Sequence, residues 1–381
     1  MNKKTKVLFI YQGLDAGGSE EVLACTIKKI DRSRYETAVC CINKKGVIGL
    51  ELEEAGFDVT SLNVDYNLFA VFKIYGVIKK FNPDIVHTSL FYANLFGRIA
   101  AKMAGVRVIL CEEQNICGWK SRNLFFIIAD RVLSLVTDRI IACSESVKKF
   151  TMGQENIGSS KFAVVYNAFD RDKFDIELPA APDIKISMGF KATDRIIGTI
   201  GRLCEQKGHV YLIEAMAKVV VENAGARLLI VGEGPLKSRL ANMAGNAGIS
   251  DKVIFMEKRR DVPAFLKMLD VFVLPSLWEG LSVVLLEAMY MAKPIVATGI
   301  PSNAEAMIDG QTGVLAKKAD AGSLAEGINF LLRNSEASKT LGDGAKKRVL
   351  EYFTPEKRAC ELTNMYDLLA DEKKIHIKKC G

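Results

Sequence analysis

The sequence alternates short, β-branched apolar runs with longer amphipathic stretches along most of its 381 residues. In the first half, the apolar runs lie at 6–12, 37–42, 84–89, 107–112, 139–144 and 162–167. Intervening stretches such as 20–30 and 93–105 repeat apolar residues at helical spacing. Because strand–helix alternation implies parallel strands with right-handed crossovers, we predict a doubly wound α/β fold.

The alternation is interrupted once, near the middle of the chain. The segment 175–185 holds two of the nine Pro residues within four positions and has little periodicity, which is typical of a linker. Beyond it the strand pattern resumes, at 195–201, 226–232, 252–257, 271–276, 294–299 and 313–316.

This organisation predicts two Rossmann-like domains facing each other across a cleft, at 1–175 and 194–355. We expect a linker at 176–193 and a C-terminal helix at 356–381 that could cross back to the first domain. Ligands of doubly wound sheets bind beyond the carboxyl ends of the strands, so the cleft is the expected site.

The composition excludes several other classes of protein. The net charge of +7 is spread along the chain without a long basic run, which argues against nucleic-acid binding. The nine Cys form no Cys-x-x-Cys pair and the three His are far apart, so we predict no metal site. The N-terminal apolar run is too short for a signal peptide, and no stretch approaches the ~18 apolar residues of a membrane span. We therefore expect a cytoplasmic protein.

Glycines follow the first predicted strand, where Gly17 and Gly18 precede a helix that Ser19 is predicted to cap. Backbone N–H groups in such a turn can approach an anion, helped by the helix dipole. The spacing fits neither the nucleoside-triphosphate loop nor the dinucleotide fingerprint. A tight packing turn is an equally simple alternative.

A second strand-to-helix turn, GRLCEQKG at 201–208, carries two cations. Gly201 opens the turn, and Arg202 and Lys207 follow at the expected carboxyl end of a strand. An Arg fork and a mobile Lys charge suit a diphosphate, and they could take over the charge neutralisation that Mg²⁺ provides elsewhere. The alternative is a solvated basic loop.

A third stretch, at 278–294, places two acids around a predicted helix start. Glu279 lies in the turn after a strand, Ser282 is the predicted N-cap, and Glu287 stands among apolar neighbours. Carboxylates accept hydrogen bonds from sugar hydroxyls. An acid near a buried face needs a partner, although Glu287 could instead be a surface side chain.

The order and spacing of these stretches resemble the GT-B retaining glycosyltransferases of family four, across nearly the whole chain. The strongest matches are GRLCEQKG (201–208), VGEGPLKSRL (231–240), RRDVPAFLKMLDVFVLPSLWEGLSVVLLEAMYMAKPIVAT (259–298) and DGQTGVL (309–315). Any one of these pieces would be unspecific, whereas their order along the chain is specific.

The resemblance implies roles for the matching residues. Arg202 and Lys207 would hold the donor diphosphate, next to Gly201. Glu287 would hydrogen-bond the ribose, and Glu279 would face the transferred sugar. In the other domain, Gly17 and Gly18 would approach the leaving phosphate or the acceptor.

The resemblance also implies a reaction. The chain would move a sugar from a UDP- or GDP-linked donor to a glycan or lipid-linked acceptor, in cell-surface polysaccharide or glycolipid biosynthesis. Anomeric configuration would be retained without a metal or other cofactor, by front-face attack in which the leaving phosphate helps to take the acceptor proton. Such a mechanism depends on positioning and charge stabilisation more than on a protein nucleophile.

Two departures from the family pattern leave roles open. Ser89 stands where many relatives have a second histidine, so His87 either contacts the sugar or is a packed core residue. Glu257 replaces a common glycine in a region that often meets the base, so the identity of the nucleotide is open.

Two other functions remain as alternatives. A GT-B nucleotide-sugar epimerase would release an epimerised sugar nucleotide without acceptor. That chemistry needs acid/base groups around the sugar, and His87 is the only histidine of the predicted first domain. A non-catalytic sugar-nucleotide-binding subunit would bind donor without transfer or hydrolysis. The retained set of Arg202, Lys207, Glu279 and Glu287 argues against it.

Contact with the inner face of a membrane is a separate question. The stretch 118–136 has an amphipathic pattern with Trp and basic residues at its start, which is typical of a helix that lies on an interface. A helix packed on the core would show a similar apolar face.

Overall fold

The computed structural model describes residues 4–116, 123–259 and 261–375. Its contacts divide the chain into two compact units. The first unit comprises Met1–Asp170 with Thr354–Gly381, and the second comprises Arg171–Phe353.

The first unit is built on a seven-stranded sheet in the order β3-β2-β1-β4-β5-β6-β7. Its strands are β1 Thr5–Tyr11, β2 Tyr35–Cys41, β3 Asp58–Ser61, β4 Ile85–Ser89, β5 Val108–Glu113, β6 Arg139–Ala142 and β7 Phe162–Val164. Its helices before residue 170 are α1 Gly18–Lys29, α2 Gly46–Glu54, α3 Leu68–Phe81, α4 Phe91–Ala104, α5 Leu124–Leu133 and α6 Glu145–Glu155. All pairings are parallel.

Side chains of β1 enter two apolar cores in alternation. Val7, Phe9 and Tyr11 belong to the core on one face, and Leu8 and Ile10 to the core on the other. A strand that is buried on both faces has a continuous run of apolar residues rather than an alternating pattern. Such runs predicted most of these strands from the sequence.

The second unit is built on a six-stranded sheet in the order β10-β9-β8-β11-β12-β13. Its strands are β8 Arg195–Ile200, β9 Ala226–Val231, β10 Val253–Met256, β11 Val271–Leu274, β12 Ile295–Thr298 and β13 Val314–Ala316. Its helices are α7 Ala181–Ser187, α8 His209–Glu222, α9 Lys237–Asn246, α10 Val262–Met268, α11 Val283–Tyr290, α12 Pro301–Ala306, α13 Ala321–Arg333 and α14 Ser335–Tyr352. These strands are also parallel.

The predicted doubly wound α/β architecture is confirmed in both units. The sequence pattern missed β3, because its four residues include Asp58, Thr60 and Ser61 and offer no apolar run. Its place at the edge of the sheet explains why so polar a strand is tolerated.

The segment 176–193, expected to be a linker, contains α7, which packs into the second unit. Ile184 is buried, and the ammonium of Lys185 pairs with Asp270 at 2.7 Å. A Pro at the start of α7 is compatible with the helix because the first helical N–H needs no intrahelical partner.

The last helix, α15 Pro355–Glu372, follows the second unit in sequence but belongs to the first. Its residues Leu362, Tyr366 and Leu369 lie in the same core as Val7 and Phe9. None of the helices in the described part of the chain is long and apolar enough to cross a bilayer.

Candidate functional site

In the second unit the strand order reverses between β8 and β11. Connections leave these neighbouring strands towards opposite faces of the sheet, so a crevice opens beyond their carboxyl ends. The turn 201–208 follows β8 and the turn 275–282 follows β11, and the candidate site is built from these two turns.

The first of these turns needs a glycine where it meets the second. Gly208 has a φ of +61°, and a Cβ atom there would overlap the carbonyl oxygen of Pro275. The main-chain N–H of Leu277 donates to the carbonyl of Gln206 at 2.7 Å. The two turns are therefore joined backbone to backbone, and Gly208 permits the close approach.

Glu279 is held by three donors from these turns. Lys207 Nζ lies 2.5 Å and Ser276 Oγ 2.6 Å from Glu279 Oε1, and Gln206 Nε2 donates to Oε2 at 3.2 Å. The residue is 5% exposed. A carboxylate offers about four lone-pair sites, so these donors leave room at Oε2 for one more, such as a hydroxyl.

The two predicted cations differ in their surroundings. Lys207 is half-buried and paired with Glu279, whereas Arg202 is exposed. An ammonium carries three N–H donors, so Lys207 can keep Glu279 and still bind an anionic oxygen. The turn thus offers one half-buried, paired cation and one exposed cation to an anionic ligand.

His209, the first residue of α8, adds no positive charge at neutral pH. Burial, and secondarily the charge of Lys207, lowers the pKa of His209 to about 4. The imidazole therefore stays neutral, and the positive charge of the turn comes from its Arg and Lys.

Two glycines of the β9 exit support the same turn. Gly232 and Gly234 have φ values of +144° and +155°, and a Cβ atom at either would overlap the carbonyl oxygens of Gly201 and Leu203, respectively. Main-chain hydrogen bonds join Leu203 N to Glu233 O at 2.8 Å and Leu236 N to Leu203 O at 3.0 Å. The sequence alone predicts only a turn at these glycines, and their Gly-x-Gly spacing is the signal that it offers.

The other predicted residues of this unit follow β11 and β10. Ser282 is the N-cap residue of α11, as predicted, although its side chain makes no capping hydrogen bond. Glu287 is half-buried within α11, and Glu257 is exposed directly after β10, two strands from β8. Gln206 and Ser276, which hold Glu279, were not singled out from the sequence.

In the first unit, α1 begins at Gly18 and its N-cap residue is Gly17, so the predicted cap at Ser19 is wrong. Ser19 Oγ instead donates to Glu20 Oε2 at 2.7 Å. Glu20 and Glu21 occupy the first turn, where carboxylates interact well with the helix dipole. An anion that approached Gly17 and Gly18 would meet these two acids.

His87 is buried in the first unit and contacts the C-terminal helix. Its Nδ1 lies 2.7 Å from the Tyr366 hydroxyl, and its Nε2 lies 3.6 Å from Glu112 Oε2. The side chain is 1% exposed. Of the two interpretations of His87, these contacts favour the packed core histidine.

Two protein-family models match the chain. The model described as Glycosyltransferase Family 4 matches residues 16–173, and the one described as Glycosyl transferases group 1 matches residues 181–348. The two matches together cover most of both units.

Two similar proteins are named as glycosyltransferases, and a similar solved structure contains UDP and glucose. An uncharacterized glycosyltransferase of Methanocaldococcus jannaschii is 30% identical over 302 residues, which cover 77% of each chain. The Escherichia coli UDP-Gal:alpha-D-GlcNAc-diphosphoundecaprenol alpha-1,3-galactosyltransferase is 28% identical over 310 residues, 78% of each chain. The crystal structure of Anabaena HepE in complex with UDP and glucose superposes with a TM-score of 0.86 at 21% identity, over 96% of this chain and 100% of that one.

Proposed function

Because the chain belongs to the family 4 glycosyltransferases with the GT-B fold, we propose that it transfers a sugar from a UDP- or GDP-linked donor to a glycan or lipid-linked acceptor. Anomeric configuration is retained and no metal ion takes part. The reaction belongs to cell-surface polysaccharide or glycolipid biosynthesis in the cytoplasm. A relative that acts on a diphosphoundecaprenol-linked sugar supports the lipid-linked acceptor.

One observation carries the proposal: the turn after β8 presents Arg202 and Lys207 at the topological switch point, and Lys207 touches the buried Glu279 at 2.5 Å. As the donor's glycosidic bond breaks, negative charge develops on the leaving diphosphate. The two cations of this turn stabilise that charge without a metal ion.

The remaining acceptor position of Glu279 suits one hydroxyl of the transferred sugar. Ser276, Gln206 and Lys207 hold its carboxylate, and Lys207 keeps further N–H donors for the phosphate. Glu279 then fixes the orientation of the sugar, and no protein nucleophile is required of it. We expect Glu287, Ser282 and Glu257, all at or near the carboxyl edge of this sheet, to contact the nucleoside part of the donor.

The proposal is tested by incubating the protein with labelled UDP- and GDP-sugars and candidate acceptors in EDTA. We expect transfer in EDTA, and a product whose anomeric configuration by NMR equals that of the donor. Transfer that needs added Mn²⁺ would contradict metal independence, and an inverted product would contradict retention. Release of an epimerised sugar nucleotide without acceptor would favour the epimerase instead.

A matched pair of variants tests the site. Arg202→Ala removes a cation at the carboxyl end of β8, and removal of one charge-stabilising donor typically slows turnover by about 10²–10³-fold. Arg195→Ala removes the exposed Arg at the other end of the same strand and leaves turnover unchanged. Equal turnover of Arg202→Ala and Arg195→Ala would refute the assignment.

A further inference from the structure

The first unit exposes a large apolar surface on the outer side of α3, α4 and α5. More than half of the exposed large apolar side chains of the described residues lie between 66 and 135. On α3, Phe69 is 57% and Phe72 62% exposed, and on α5, Phe125 is 69% and Ile128 51% exposed. Contiguous apolar surface of this kind marks an interaction site. We call it the α3–α5 surface.

A row of aromatic rings in contact, one pair stacked and two edge to face, makes this surface continuous. The ring of Tyr66, just before α3, lies 4.4 Å from that of Tyr92 on α4. The ring of Phe91, which precedes Tyr92 on α4, lies 5.0 Å from the Tyr92 ring. Phe91 in turn lies 4.8 Å from Phe126 on α5. The starts of the three helices are thus joined side by side.

These helix starts lie at the carboxyl edge of the sheet, because each helix follows a strand of the same parallel sheet. Nucleotide-binding and acceptor-binding turns of doubly wound units lie at that edge. The apolar end of the α3–α5 surface is therefore on the side of the first unit where a substrate would be met.

The exposed charges on the three helices have a single sign, and Asp65, beside Tyr66, is an exposed acid at the edge of the surface. All residues of α3, α4 and α5 are described, and their exposed charged side chains are Lys73, Lys79, Lys80, Lys102 and Arg131. The one acid on these helices, Asp130, is buried and paired with Arg98. A surface that combines exposed aromatic and aliphatic groups with an excess of basic residues is complementary to anionic lipid.

We propose that the α3–α5 surface binds the anionic face of a lipid bilayer. The apolar side chains enter the interface, and the basic residues are attracted to the anionic headgroups. A second copy of the chain fits this surface less well, because a twofold contact would bring the two sets of basic residues together. The benefit to catalysis rests on the proposed lipid-linked acceptor, which docking would bring to the carboxyl edge of the first unit.

The expectation of a membrane-facing helix at 118–136 bears on the same surface. Its part from 123 onward is α5 and the turn after it, and residues 118–122 lie outside the described part of the chain. The contribution of α3, and the absence of exposed acids on all three helices, emerge from the structure.

The test is co-sedimentation of the full chain with vesicles of phosphatidylcholine, alone or mixed with phosphatidylglycerol, at low and high salt. Two double variants probe the surface: Phe69→Ser with Phe125→Ser, and Lys79→Glu with Lys80→Glu. Their matched controls change equally exposed positions elsewhere: Val221→Ser with Leu368→Ser, and Lys317→Glu with Lys318→Glu. UDP and GDP binding, measured by calorimetry on the same samples, reports on the proposed function separately.

We expect binding to anionic vesicles that weakens with salt, and a loss of affinity on the order of tenfold or more in each surface variant. The controls should bind like the unchanged protein, and nucleotide binding should be the same in all. Failure to bind anionic vesicles, or equal losses in controls and surface variants, would overturn the proposal. So would a dimer that Phe69→Ser with Phe125→Ser dissociates, because the surface would then be an interface between copies.

Discussion

Arg358 anchors α15 to the sheet of the first unit, and its replacement by Met tests how that anchor works. Arg358 is 3% exposed. Its Nη2 donates to Glu112, its Nη1 donates to the carbonyls of Val165 and Tyr166 at 2.9 Å each, and its Nε donates to Thr26 Oγ1 at 3.1 Å. The variant removes these bonds and leaves Glu112 buried without its cation.

The magnitude follows from the titration of Glu112. Burial by itself raises the pKa of the Glu112 carboxyl, but Arg358 and the contact with His87 outweigh it and lower that pKa from 4.5 to about 2. A lowering of this size corresponds to about 3 kcal/mol. Breaking a buried ion pair by removing one partner typically costs about 3–5 kcal/mol. We therefore expect Arg358→Met to destabilise the first unit by about 3 kcal/mol or more.

Amide hydrogen exchange at pH 7 measures this loss unit by unit. Exchange protection of α15 and β5 should fall roughly a hundredfold in Arg358→Met, while β8 in the second unit serves as an internal reference. Lys357→Met, at the exposed neighbouring position, should change stability by less than about 0.5 kcal/mol. Adding Glu112→Gln to Arg358→Met should restore part of the protection, because no unpaired buried charge remains.

The reasoning is refuted if α15 in Arg358→Met keeps protection within about threefold of the unchanged protein. The reasoning would also be contradicted if the double variant, Arg358→Met with Glu112→Gln, lost as much exchange protection as the two single variants lose in sum. That result would mean that shape or hydrogen bonding, and not the buried charge, anchors the helix.

Two further predictions concern the turn after β8. His209 has its pKa lowered to about 4 from 6.5, chiefly by burial, so the second unit should be fully stable above about pH 6.5 and lose up to about 3 kcal/mol as the pH falls to 4. Denaturant titrations at several pH values measure the free energy of unfolding. If His209→Gln lost as much stability between pH 6.5 and pH 4 as the unchanged protein, the prediction would be contradicted. Gly208→Ala should cost about 2 kcal/mol or more and weaken nucleotide binding, because it combines a positive φ with overlap on Pro275. Gly225→Ala is the control, because nothing lies within 4 Å of the added Cβ atom. Equal changes of melting temperature in the two variants would contradict the prediction.

Much of the architecture could be predicted because it depends on local patterns. A buried parallel strand needs a run of apolar residues, and a crossover helix needs a repeat of apolar positions on one face, so both appear directly in the sequence. The turns that carry Arg202, Lys207 and Glu279 follow from where those strands end. The polar edge strand β3 lacks the pattern and was missed for that reason.

The sequence could not decide what each side chain touches, because those contacts join residues far apart in the chain. His87 meets Tyr366 across 279 positions, and that contact favours the core interpretation over the sugar-binding one. Gly232 and Gly234 read as an ordinary turn in the sequence, whereas in the fold the β9 exit lies against Gly201 and Leu203.

The same division applies to the surfaces. By itself the sequence predicted an apolar helix in the stretch that contains α5, and two doubly wound units of which the second carries a cationic turn after β8. Only the tertiary structure decided that part of this apolar face stays exposed beside basic residues, and that Glu279 is clamped by Ser276 and Gln206. Exposure and hydrogen-bond partners depend on how whole elements pack, and the packing is a property of the folded chain rather than of any one segment.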